Sequence, residues 1–159
     1  MFKRAFKIFP VILFTCAVLY TNTYAFEEII TVPAEESAGT VLELEKGDYI
    51  CEYTGGAITL FYPINPNYCW RIGAAVGIET DGGQDYPDLG TIYFDPNPVA
   101  TSQYAAEIQA IEALKKGEIG TWFDFSLSER AKVRFWVSDY DYSDNSGMIK
   151  LKIKSTEQI

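Results

Sequence analysis

The sequence predicts an all-β fold, an antiparallel β-sandwich of jelly-roll type with room for one short helix. Three observations carry that expectation. Short apolar segments alternate at period two, as half-buried strands do. Turn-forming Gly, Pro, Asn and Asp separate them at short intervals. Aromatic residues make up 15% of the chain, which argues for a packed core and against disorder. Many short strands joined by turns close most simply as a sandwich.

Residues 1–25 read as a secretory leader and not as part of the fold. Lys3, Arg4 and Lys7 give a basic start, and Ile8 to Tyr20 an apolar run. Thr23-Tyr24-Ala25 supplies small residues where a signal peptidase cuts. The run is too short for a permanent membrane span, and Cys16 after Thr15 makes a poor lipoprotein signal. Cleavage leaves a single domain, residues 26–159, whose 134 residues suffice for a core of its own. The expected location is secreted or periplasmic.

Within that domain, Val41 to Glu45 places Leu42 and Leu44 on one face. Gly47-Asp48 turns into Tyr49 to Tyr53, and Gly55-Gly56 separates that segment from Ala57 to Tyr62. Strands are also expected at Tyr68 to Ile72, Thr91 to Phe94 and Thr121 to Leu127. Residues 104–116 stay open between two readings. Tyr104, Ile108, Ile111 and Leu114 suit a helix that ends at Gly117, whereas Tyr104, Ala106, Ile108 and Ala110 suit a strand.

Once Lys3, Arg4 and Lys7 leave with the leader, ten basic residues face 22 acidic ones, a net charge of −12. That balance argues against nucleic acid and anionic membranes as partners. It leaves cations, basic proteins and neutral ligands. The chain has no histidine, so histidine-based triads and histidine-ligated zinc are excluded. Cys51 and Cys69 remain after cleavage, and in an oxidising compartment they most simply form one disulfide. An 18-residue separation makes that link worth roughly 3 kcal/mol.

The densest chemistry lies at Asp139-Tyr-Asp-Tyr-Ser-Asp-Asn-Ser-Gly147. Ala131, Val133, Phe135 and Val137 alternate before it, and Ile149, Leu151 and Ile153 after it, so the segment reads as a hairpin with an acidic tip. Three carboxylates in one loop suit a hard cation with oxygen ligands, Ca2+ first. The same residues also suit a solvated turn. A second acidic loop carries Asp81, Asp85 and Asp88 near Glu79; solubility is its simpler reading. Trp136 beside Arg134 is either a binding platform or a ring buried under the 104–116 segment.

Ala105 to Ile111, Gly117-Glu-Ile-Gly120, the strand ending at Asp139, and Ser143-Asp-Asn-Ser-Gly147 follow one another in an order that resembles bacterial PA-IL-type galactophilic lectins and their galactose-binding-like relatives. The convincing part covers about 45 residues, and a fainter likeness (Ala38-Gly39-Thr40, Gly47-Asp48, Tyr86-Pro87-Asp88) runs through the rest. The resemblance implies a Ca2+ ion held by Asp139, Asp144 and Asn145, by a carbonyl of Asp141 or Tyr142, and by a carbonyl of the Phe61-Tyr62-Pro63 bend. It also implies a sugar that meets the ion, with Tyr86 and Asp88 beside it. The loop is two residues shorter than in the galactose-binding lectin, which leaves Asp141 as a substitute ligand. Tyr86 and Leu89 stand where that lectin has a histidine and a glutamine, so galactose specificity is not expected.

The expectation is therefore an exported, non-catalytic, calcium-binding sandwich that binds a carbohydrate or glycoconjugate other than galactose. The alternative is a secreted protein-interaction or structural domain in which calcium only stiffens the loop.

Overall fold

Residues 26–60, 70–79, 88–118, 120–139 and 141–156 are described by a computed structural model; residues 1–25, the expected leader, lie outside them. Eight strands form two antiparallel four-stranded sheets that face each other. They are β1 (Glu27–Pro33), β2 (Thr40–Leu44), β3 (Gly47–Thr59), β4 (Ile72–Ile78), β5 (Gly90–Phe94), β6 (Trp122–Leu127), β7 (Ala131–Trp136) and β8 (Ser146–Ser155). One sheet runs β1-β8-β3-β6 and the other β2-β7-β4-β5. The all-β antiparallel sandwich expected from the alternation is present, with one short helix.

The core is the sum of the inward positions. Ile30, Val32, Tyr49, Cys51, Tyr53, Phe125, Leu127, Ile149, Leu151 and Ile153 of the first sheet lie in one buried cluster with Leu44, Ile72, Ala74, Val76, Ile92, Val133 and Phe135 of the second. Each fully buried large apolar side chain contributes roughly 1.5–3 kcal/mol, enough for the sandwich to hold the loops at its ends.

Two strand expectations change. Gly55-Gly56 does not end a strand: β3 continues through it with a register shift between Tyr53 and Gly55. Gly56 adopts φ +79, and a Cβ there would stand 2.2 Å from the Met148 carbonyl oxygen of β8, so glycine lets the two backbones stay paired. The segment around Asp139 is not a hairpin either. β7 pairs with β2 and β4, and β8 pairs with β1 and β3, so the acidic loop crosses between the sheets. Alternation shows that both strands have one buried face; it does not show whether they meet edge to edge or face to face.

Residues 104–115 fall in a helix, α1 (Gln103–Lys115), with Lys116 as its C-cap. Ser102 caps it by accepting a hydrogen bond from the Ala105 amide at 3.2 Å, and Gly117 follows its end at φ +70. The buried stripe is Ala106, Ala110 and Ala113, while Tyr104 and Ile108 are exposed. α1 packs on β3, where Gly55 lies against the Glu107 side chain. Small residues on both elements allow that close approach, which leaves Tyr104 and Ile108 outside while Ile111 packs partly against the core.

Candidate functional site

The crossing loop is built by its own polar groups. Tyr142 sends its hydroxyl back to the Val137 carbonyl at 2.7 Å and accepts from the Asp139 amide at 3.4 Å. Asp141 caps a single 3₁₀ turn, Tyr142–Asp144. Its Oδ1 accepts from the Ser143 hydroxyl at 2.6 Å and from the Ser143 amide at 2.9 Å. Those two bonds, the hydroxyl first, hold the Asp141 carboxyl below its ordinary range.

Asn145 anchors the loop from inside. It is buried, and its Nδ2 donates to the Ala34 carbonyl at 3.1 Å. The Ala34 amide donates in turn to the Gly147 carbonyl at 3.0 Å. Gly147 sits at φ +94, where a Cβ would stand 2.4 Å from the Ala57 carbonyl oxygen and 2.8 Å from the Trp70 ring. Asn145 Oδ1 is buried without a hydrogen-bond partner, as are the indole nitrogens of Trp70 and Trp136.

The remaining predicted residues scatter. Tyr62, Tyr86 and Cys69 lie outside the described residues, as do Asp81 and Asp85. Asp88 accepts from the Ile78 amide at 2.9 Å and so closes the far end of β4. Ile78 pairs with Val133, six residues before Asp139, on the order of 20 Å away at about 3.3 Å per extended residue. Asp88 and the acidic loop are not brought together. Trp136 is buried, with the Arg134 guanidinium 4.8 Å over its ring and Gly39 against its Cβ.

Cys51 is a buried free thiol among the described residues. Burial, and then Glu52, push its pKa up to about 12. Its expected disulfide partner, Cys69, lies outside the described residues.

A calcium ion finds a reduced donor set here. Asn145 Oδ1 is an oxygen in want of a positive partner, and Asp139 and Asp144 are half-buried beside it in the chain. Asp141 fits less well, because Ser143 already occupies its Oδ1. No three acidic side chains stand together as a metal site among the described residues.

The sequence reading missed a second polar group at the same end of the sandwich. Tyr93 of β5 donates to Asp95 Oδ2 at 2.6 Å and accepts from Arg71 Nη1 at 3.3 Å, and Arg71 Nε stands 3.6 Å from Asp95 Oδ1. Period-two alternation does mark Tyr93 as outward-facing, but nothing in the sequence pairs it with Arg71, 22 positions away. No protein family, curated protein or solved structure matches the chain, so the likeness to galactophilic lectins rests on the order of the quoted sequence segments alone.

Proposed function

We propose that the chain is an exported, non-catalytic sandwich module that binds carbohydrate, with calcium serving to stiffen the acidic loop. The observation that carries the calcium part is the buried, unpartnered Oδ1 of Asn145 inside an oxygen-rich crossing loop. In this reading Asp139, Asp144 and Asn145 hold the ion with loop carbonyls, and Asp141 keeps its capping role. The ion would neutralise the loop's carboxylates and fix the crossing between the sheets. Export is supported by the basic, apolar and small-residue order of residues 1–25; the absence of histidine removes histidine-based catalysis alone.

Thermal melting with calcium and with chelator tests it. Binding to the folded state alone adds about 2.7 kcal/mol at a hundredfold excess over Kd, so Tm rises with calcium and the rise disappears in Asp144→Ala. A Tm that stays constant through millimolar calcium would leave the loop as a structural corner only.

A protein-binding role is the second reading. On the outer face of the first sheet, Ile29, Lys152, Glu52 and Trp122 fall in one cross-strand row, and Ile29 and Trp122 are exposed. A glycan array that stays blank with and without calcium would shift the balance to that face.

A further inference from the structure

We propose a calcium-independent carbohydrate site on the β4–β5 surface, built by Arg71 and Tyr93 and braced by Asp95, whose ligand is a single neutral hexopyranose. It rests on the reading of the chain as a glycan-binding module and not on the loop's ion. A pocket of about 120 Å³ opens there, lined by Arg71, Gly73, Thr91, Tyr93 and Ser138 over an apolar base that includes Ile58. Gly73 leaves the backbone bare beneath it: a Cβ there would touch Ile58 Cδ1 at 3.7 Å and Tyr93 Cδ2 at 3.9 Å. The volume is well below the roughly 300–1,000 Å³ of a drug-sized site, which suits one shallowly seated ring.

The chemistry of a pyranose matches these walls. Its C–H face is apolar and its edge carries hydroxyls, so it needs an aromatic face beside fixed donors and acceptors. Tyr93 is 50% exposed, yet it is held at both ends. Its hydroxyl is tied to Asp95 and Arg71, and its amide donates to the Gly120 carbonyl at 2.9 Å. A ring already fixed loses little freedom when a ligand stacks on it. Arg71 lines the pocket as a donor while Asp95, outside the lining, holds it and Tyr93 in place, and Thr91 and Ser138 bring hydroxyls to the rim. Their ion pair cancels locally and the mature chain carries −12 overall, which disfavours acidic sugars. None of the loop's carboxylates lines the pocket, so the ion has no part in it.

The test is titration of the mature protein in EDTA with methyl glucoside, mannoside and galactoside and with N-acetylglucosamine, with glucuronate as the charged control, followed by calorimetry and NMR. The expected result is a Kd of order 1 mM for at least one neutral sugar, with shifted Tyr93 ring resonances in the unmodified protein. Tyr93→Ala then weakens it about tenfold or more, Tyr93→Phe retains most of it, and Tyr104→Ala, on the outer face of α1, changes nothing. The inference is overturned if no neutral sugar binds at about 50 mM. It is equally overturned if the Tyr93 ring does not respond, if glucuronate binds best, or if binding vanishes in EDTA. Loss of the calcium effect on melting alone would sink the loop reading and leave this site standing.

Discussion

The acidic loop and the Arg71–Tyr93–Asp95 group lie at the same end of the sandwich and use their polar atoms in opposite ways. In the loop, nine consecutive residues concentrate oxygen atoms, and several of them hold the chain itself in place. Asp141 holds Ser143, Tyr142 holds Val137, and Asn145 holds Ala34. The second group draws one residue from before β4, one from β5 and one just after it. Its hydrogen bonds fix an aromatic ring that stays half exposed. Density in the sequence marks a local structural device here, whereas the surface fit for a ligand is assembled by strand pairing.

Glycines separate the two regions most sharply. Gly147→Ala forces a side chain into φ +94 and against the Ala57 carbonyl oxygen, at a cost of about 3 kcal/mol or more in denaturant unfolding. Gly73→Ala meets only ordinary contacts, so stability changes by about 0.5 kcal/mol or less while sugar binding is lost. Equal destabilisation by the two would erase the contrast.

The tyrosine hydroxyls give the next effect. Tyr142→Phe leaves the Val137 carbonyl without its donor and costs about 1–2 kcal/mol by equilibrium unfolding. Tyr93→Phe removes an exposed bond and costs about 0.5 kcal/mol or less. A reversed order would assign the structural role to Tyr93.

The smallest effect is a titration. Asp141 has a lowered carboxyl pKa in the folded chain because Ser143 donates to it. Its contribution to loop order is therefore complete above the ordinary carboxylate value of about 3.9 and is lost as pH falls through the lower folded value. The Ser143 amide resonance, followed down in pH, is expected to move with a midpoint below that ordinary value. A midpoint at or above it would mean that the cap does not form in solution.

Much of this was legible in the residues. Strict alternation in β7 and β8 identified which side chains enter the core, because one buried face imposes period two whatever the partner. Pairing was not legible, so the crossing loop read as a hairpin. The helix was ambiguous because its buried stripe is alanine, a residue that fits either period, and because Tyr104 and Ile108 carry the apolar signal on the exposed side. Of the candidate site, Asn145 and Tyr142 were singled out as metal ligands, and the hydrogen bonds they make are with the backbone of Ala34 and Val137. Tyr142 acts through its hydroxyl on the backbone, however, a role that residue type alone does not disclose. Asp88 looked like a ligand-site residue and instead closes a strand end.

Amide shift mapping of the labelled mature protein, titrated in EDTA with the neutral methyl hexoside that binds, separates the two regions in one measurement. The account predicts shifts centred on Gly73, Thr91, Tyr93 and Ser138, with Asp141 to Asn145 little changed. Shifts confined to Asp139 to Asn145, appearing only when calcium replaces EDTA, would contradict it and place recognition in the acidic loop.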